Sequence, residues 1–415
     1  MNDAPPNPRF AETVLAEALA DSPLVLIHGP RQCGKSTLAR MYGDKGGYRY
    51  FSFDDDTLRG AAASDPVGFV GDLPARVILD EVQRVPELFT SLKAAVDHNR
   101  EPGRFLLTGS SNVLLMPRLS DSLAGRMAIQ RLHPFARCEL TGQPADFLDR
   151  LFAADFPTRN VARLRAALAE HVAAGGYPPA LARVEGRSRE HWYRDYITTL
   201  VQRDVRDIAR IRSLDALPRL LRLAAARTAQ LFNVSELASA FQLSRVTIAD
   251  YLTLLENIFL LERLPPWHSN HTSRLVKTPK LHMGDSGLAC GLLGLTGAML
   301  QADRAQLGPL LETFVYQELR RLDSWHSQHH DFFHFRDRDQ VEVDIVLERG
   351  GGQLAGVEVK AAATVTAADF RGLRKLRDGA GGRFVAGVVL YDGEHCARFD
   401  TGLYAVPLRW LWENP

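Results

Sequence analysis

Two groups of residues in this chain have the types and spacing to do chemistry on phosphate. The first is Gly29-Pro30-Arg31-Gln32-Cys33-Gly34-Lys35-Ser36, followed by Thr37. It fits G-x-x-x-x-G-K-[ST], a loop whose glycines let backbone N–H groups wrap phosphates. A helix starting at its end adds the partial positive charge of its N-terminus. Gly29 to Thr37 then form the cradle for ATP or ADP. Lys35 reaches the β- and γ-phosphates, and the Ser36 hydroxyl ligates Mg²⁺. Asp80 and Glu81 end the apolar run Val77-Ile78-Leu79. Asp80 can hold the same Mg²⁺ through water, and Glu81 can polarise the attacking water. Thr108, Ser110, Ser111 and Asn112 offer polar groups to sense the γ-phosphate, or simply form a turn. Arg126 is either a finger that acts on a neighbouring subunit's nucleotide or an ordinary surface arginine.

The second group is Asp344, Glu358 and Lys360. On strands, the period of two puts Glu358 and Lys360 on one face. Asp344 and Glu358 can share a divalent metal there. Lys360 can orient a water or stabilise a pentavalent phosphate. Charges on a buried face are costly unless they pair or bind metal, so the alternative is that these three satisfy one another. His329, His330 and His334 are irregularly spaced with no cysteine nearby, which points to packing or surface roles rather than a metal site.

The elements that must carry these residues follow from periodicity. Residues 23–28, 48–53, 76–79 and 104–108 read as buried strands that alternate with helices, the first helix beginning at Ser36. That alternation predicts a parallel sheet covered on both faces, with its ligand edge past the strand ends. Residues 163–173 and 191–211 have helical spacing, broken between them by Gly175-Gly176-Tyr177-Pro178-Pro179. Val234–Phe241, a turn at Gln242–Ser244, and Arg245–Leu261 have helix-turn-helix proportions, with Ser235 and Ser244 as candidate N-caps. Arg245, Thr247 and Asp250 would face DNA, or the pair serves as a structural lid. Pro265-Pro266 closes this block. The third block opens with loops and helices and continues with a helix over 310–322. Strands follow at 341–347 and 354–360, joined by Gly350-Gly351-Gly352, and a last one at 384–391.

Composition sets outer bounds. The 415 residues carry 46% hydrophobic and 24% charged side chains, ordinary for a globular chain of several domains. A net charge of +1 does not by itself predict nucleic-acid binding. Locally, Arg203, Arg206, Arg210, Arg212, Arg219, Arg222 and Arg227 stand against three aspartates, as a phosphate-contacting face or a solvated one. Cys33, Cys138, Cys290 and Cys396 form no CxxC pair and suit a reducing cytoplasm. The N-terminus lacks a secretion pattern, and no run of about 18 apolar residues suggests a membrane span.

The loop at 29–36, Asp80-Glu81-Val82-Gln83, Leu107–Ser111 and Ser122-Leu123-Ala124-Gly125-Arg126 together resemble a bacterial and archaeal family of predicted AAA+ ATPases. Gly175–Pro178 and Gln202-Arg203-Asp204-Val205 also look like that family. The resemblance covers nearly the whole chain and implies nucleotide binding, ATP hydrolysis and a homo-oligomer, since such ATPases commonly form rings. The spacing D-x(13)-E-x-K at Asp344, Glu358 and Lys360 resembles the PD-(D/E)XK nucleases. By that likeness Glu312, on a helix upstream, is the additional acidic metal ligand. Val343-Asp344 stands where a proline–aspartate pair is usual. The implied architecture is α/β and multidomain. Residues 1–145 form a P-loop AAA+ ATPase, 146–270 a helical lid and winged-helix region, and 271–415 a restriction-endonuclease-like domain. DNA or RNA is the implied partner. The competing reading is a nucleotide-switched DNA-binding regulator or defence protein whose nuclease-like domain does not cut.

Overall fold

Every residue of Leu24–His28 (β1) is buried, as a continuous apolar run requires. Its side chains feed two cores. Leu24 and Leu26 pack with Leu79, Phe105 and Leu107 on one face. Val25 and Ile27 pack with Ile78, Leu106 and Leu132 on the other. The computed structural model describes residues 7–110, 123, 125–208, 216–268 and 278–415. In it, β1 lies within a five-stranded sheet with Arg49–Ser52 (β2), Val77–Asp80 (β3), Phe105–Gly109 (β4) and Met127–Arg131 (β5). The order is β2-β3-β4-β1-β5, all parallel. Parallel strands end at one edge, so the loop after β1, Asp80 after β3 and Ser110 after β4 leave the sheet on the same side. β4 sits between β1 and β3, which puts Thr108 between the loop and Asp80. β5 escapes the sequence reading because its apolar pattern is weak, with Ile129 exposed and Gln130 buried.

The chain divides into two units between Phe135 and Ala136, not near residue 145. Residues 136–415 form one unit where the sequence suggests two. The reason is backbone pairing across residue 270. Lys280–Met283 (β9) pairs with both Leu261–Leu264 (β8) and Gln230–Leu231 (β7). The Trp267 N–H donates to the His334 carbonyl at 2.6 Å. Arg159–Asn160 (β6) pairs with His395–Asp400 (β14). Among the described residues of the third block, β9 precedes the helices Ser286–Leu293, Gly297–Ala302 and Arg304–Asp323.

The larger sheet runs β10-β11-β12-β13-β15-β14-β6. Its remaining strands are His330–Arg336 (β10), Glu342–Arg349 (β11), Gln353–Lys360 (β12), Phe384–Tyr391 (β13) and Leu403–Pro407 (β15). β11 and β12 are antiparallel, joined through Gly351 and Gly352, both with positive φ. β12 and β13 are parallel, and the helix Arg371–Ala380 lies in the connection between them. Its Leu373 fills the space above Gly356, where a Cβ would meet Leu373 at 2.6 Å.

The helix-turn-helix segment forms as read, with a correction at its first cap. Asn233, not Ser235, caps Val234–Phe241, accepting from the Ser235 N–H at 2.9 Å. Gln242 turns the chain in the left-handed region, and Ser244 caps Arg245–Asn257 through the Thr247 N–H at 3.0 Å. Ile248, Tyr251, Leu252 and Leu255 are buried, while Arg245 and Val246 are exposed. The helix stops at Asn257, where a turn with Phe259 in the left-handed region leads into β8.

A buried ionic chain joins distant parts of the second unit. Arg321 donates to Asp285 at 2.7 Å and to Glu318 at 2.6 Å, all three at most 1% exposed. Asp285 also accepts from the N–H groups of Gly176 and Gly287 at 2.8 and 2.9 Å. Glu318 accepts from the Arg137 N–H at 2.9 Å. Gly175 adopts φ +63°, and a Cβ there would meet an Asp285 oxygen at 2.0 Å, so only glycine fits. The glycine pair at 175–176 thus exists to let the chain approach Asp285.

Replacing Arg321 with Ala strands two buried carboxylates. We expect a loss of about 3–5 kcal/mol, read as a lower midpoint in urea unfolding. A variant within about 0.5 kcal/mol of the parent would contradict this role. A second expectation concerns acid. Burial, reinforced by Arg137 and Arg409, lowers the His171 imidazole to about 3, and its Nε2 lies 2.9 Å from Arg137. The unfolded imidazole titrates near about 6.5, so this group's stabilisation is complete above that pH and is lost as pH falls towards 3. His171→Gln keeps an acceptor for Arg137 and should flatten stability against pH between about 6.5 and 4, by up to about 1.4 kcal/mol per pH unit. Parallel curves would refute it.

Candidate nucleotide site and a second charged site

The phosphate loop is held from behind. Gly29 has φ +151° and lies so close to the Leu132 carbonyl that a Cβ would come within 2.2 Å. Gln32 takes a positive φ, and Gly34, at φ +102°, precedes the helix Lys35–Gly46. Arg9 donates to the Cys33 carbonyl at 3.0 Å and to the His133 carbonyl at 2.6 Å. The Cys33 thiol is buried and faces the Leu132 carbonyl at 3.4 Å. Arg31 is half-buried, while Gln32 and Thr37 are exposed. Lys35 is 5% exposed and donates to the carbonyls of Gly29 and Pro30 at 3.0 and 2.8 Å. Its ammonium therefore lies over the loop. His28, just before the loop, is lowered to about 4 by burial and then by the charges of Arg131 and Lys35, so it stays neutral.

Asp80 is the hub of the acidic side. Its Oδ1 accepts from Ser36 at 2.8 Å and from the Thr108 hydroxyl. Its Oδ2 accepts from the Tyr50 hydroxyl at 2.6 Å. Burial, and then the bond to Asp80, raises the Tyr50 phenol above its usual range, which keeps it a donor. Glu81 sits in the left-handed region at φ 58°. Its Oε2 accepts from Ser110 at 3.0 Å and from the Gln83 amide. These residues fit the group the loop implies. Ser36 and Asp80 are already in contact, as residues that would together hold a metal and its water must be. Arg126 lies elsewhere, paired with Asp97 through Nε at 2.6 Å and Nη2 at 3.1 Å. Ser111, Asn112, Ser122 and Ala124 lie outside the described residues. So do Arg210 and Arg212.

Around β11 and β12 the structure assembles a second charged site. Asp344 and Glu358 stand one step beyond the Ile345–Val357 pair and so face each other across the ladder. Glu312 approaches from the helix Arg304–Asp323. The expectation that these carboxylates share a divalent metal meets a different arrangement. The ammonium of Lys280, on β9, lies 2.8 Å from Glu312 and 3.1 Å from Asp344. The second Asp344 oxygen takes the Val359 N–H at 2.9 Å, and Glu358 takes Lys360 at 2.8 Å. Among the described residues, no group of three or more His, Cys, Asp or Glu side chains is placed to hold a metal. The residues here do not fit the metal that the nuclease likeness implies. Burial disfavours the Lys280 charge, but Asp344 and Glu312 outweigh it and raise its pKa, so it remains an ammonium. Burial, and then Asp344, pushes Glu312 well above the usual carboxylate range. His330, by contrast, packs as a core side chain, with Nδ1 2.8 Å from Asp323 and its ring stacked on Phe152. His334 reaches the Thr278 carbonyl at 3.2 Å, and His329 is exposed.

Three stretches of the chain match known family models. Residues 21–141 match the family model of an AAA domain. Residues 165–298 and 307–411 match two domains of unknown function, DUF8612 and DUF4143. The N-terminal unit thus has the P-loop fold of an AAA-type ATPase. Uncharacterized proteins of Mycobacterium tuberculosis and Mycobacterium bovis are each 28% identical over 400 residues, 96% of this chain and 83% of theirs. Among solved structures, a Walker-type ATPase of Pyrococcus abyssi is 17% identical, covering 70% of this chain and 99% of that one, with a TM-score of 0.41. The RuvB Holliday junction branch migration motor of Thermotoga maritima is 19% identical over 61% of this chain and 89% of its own, with a TM-score of 0.29. Both likenesses are too distant to bear on chemistry. No helix among the described residues is long and apolar enough to cross a membrane.

Sequence reasoning missed three participants. Tyr50 looks like an ordinary strand aromatic. Gln83 matters only through Glu81. Lys280 carried a usable signal, because a lysine opening the run Lys280-Leu281-His282-Met283 in a buried strand needs an anionic partner.

Proposed function

We propose that the N-terminal unit binds ATP and hydrolyses it, and that this cycle governs a nucleic-acid-facing unit downstream. What carries the first half is one arrangement, with Lys35, Ser36, Asp80 and Glu81 at a single sheet edge behind a glycine-lined loop. In this reading Lys35 leaves the carbonyls of Gly29 and Pro30 and turns its ammonium to the β- and γ-phosphates. Backbone N–H groups from Gly29 to Thr37 and the helix N-terminus take the remaining phosphate charge. Ser36 and Asp80 hold Mg²⁺, which when bound neutralises charge on the phosphates. Glu81 is the base, and it must leave Ser110 and Gln83 to reach a water. Arg126 acts on the nucleotide of a neighbouring copy after parting from Asp97. The chain then works as a homo-oligomer.

For the second unit, the helix-turn-helix followed by β8 and β9 has winged-helix order, and exposed Arg245 and Val246 open its second helix. That supports contact with DNA or RNA. The second reading, a nucleotide-switched regulator or defence protein whose nuclease-like domain does not cut, is favoured by one observation, the Lys280 ammonium among the carboxylates.

ATP turnover with and without DNA tests the proposal, and a wild-type chain that releases no phosphate in either condition sinks it. Lys35→Ala removes a charged hydrogen-bond donor worth about 1.5–3 kcal/mol. Affinity for a fluorescent ATP analogue should fall by roughly 10- to 150-fold. Glu81→Gln should keep that affinity within about threefold and lower kcat by about 10²-fold or more, as for loss of a general base. Turnover that survives Glu81→Gln would remove Glu81 from the chemistry.

A further inference from the structure

We propose that the Lys280 ammonium is the resident cation of the Glu312–Asp344–Glu358 site, filling the place a divalent metal would need, so that the native chain holds no metal there. The inference goes beyond the ATPase reading and does not depend on it. Three observations carry it. The first is position. Lys280 belongs to the middle strand of the three-stranded sheet β7-β9-β8, with its backbone opposite Leu231 on one side and Leu264 on the other. Its side chain is only 3% exposed and spans from that strand to two carboxylates on different elements. A lysine so fixed is not a solvated chain that swings in and out.

The second is coordination. A small divalent cation needs about six oxygens at roughly 2.0–2.6 Å. Here Asp344 has both oxygens engaged, one by Lys280 and one by the Val359 N–H, which leaves it no free oxygen for a metal, while Lys360 holds Oε1 of Glu358 and leaves the buried Oε2 without a hydrogen-bond partner. An ammonium, by contrast, needs only three acceptors at hydrogen-bond distance. The contacts of 2.8 and 3.1 Å are of that kind. The third is charge. Lys280 and Lys360 already bring two positive charges to Glu312, Asp344 and Glu358. A doubly charged metal added beside Lys280 would set four positive charges against at most three negative ones in a largely buried place, which is costly. Metal and ammonium therefore compete for one position.

The test uses the full chain without nucleotide, in a Ser36→Ala background that silences the phosphate-loop metal site. Mn²⁺ binding is followed by the electron paramagnetic resonance signal of the free ion. With Lys280 present we expect no saturable Mn²⁺ binding. Lys280→Met, similar in length but uncharged, should gain roughly one Mn²⁺ per chain, with a matching rise in melting temperature on adding Mn²⁺, and should lose both when Asp344→Asn is added. A saturable Mn²⁺ in the Lys280-containing chain that disappears with Asp344→Asn would overturn the proposal. So would a folded Lys280→Met that gains none. Should Lys280→Met not fold, Lys280→Arg keeps a cation in place. That variant should fold and bind no Mn²⁺, and saturable binding by it would equally overturn the proposal.

Discussion

A carboxylate taken out of water must be given donors, and the interior of this chain is organised around three that are. Asp80 is satisfied by three neutral hydroxyls, those of Ser36, Thr108 and Tyr50. Asp285 is satisfied by a guanidinium and by backbone N–H groups. Asp344 is satisfied by an ammonium and one backbone N–H. The difference in donors separates function from structure. A neutral hydroxyl can leave a carboxylate without stranding a charge of its own. A buried ion pair cannot be opened without leaving a bare charge. Asp80 can thus change partners at lower cost than Asp285 can.

Strand order makes the Asp80 arrangement possible. Placing β4 between β1 and β3 sets the loop and Asp80 two strands apart, and Thr108 fills the gap. A sheet with β1 beside β3 would have no such bridging hydroxyl. The same edge carries Ser110, so the strand that spaces the acidic pair from the loop also supplies a contact to Glu81.

Much of this was legible in the residues. Four strands of the first sheet, the loop, the acidic pair and the strands bearing Asp344 and Glu358 all follow from apolar runs ending in polar residues. What stayed hidden depended on partners distant in sequence. β5 has almost no apolar alternation, because Gln130 is the buried member and its amide bonds the Ala11 carbonyl at 2.7 Å. β6 and β7 are two-residue strands, too short for any period to register. Gly175-Gly176 reads as a chain break, yet its role is to admit Asp285, more than a hundred residues away. Lys280 falls to the same limitation. Its type and setting show that a partner is needed, but only the fold shows that the partners are Glu312 and Asp344.

The short strand β6 has a wider consequence. It covers the outer margin of β14, which would otherwise present unpaired N–H and carbonyl groups to any passing strand. The segment that shields this margin lies well over two hundred residues before it in the chain. A fragment cut near residue 271 would therefore bare that margin, and would also strip β9 of both its neighbours. Such a piece is set up for self-association. The compact unit in which that margin is covered is the whole stretch from Ala136 onward, and a newly made chain gains that cover only when its last strands meet a segment made much earlier.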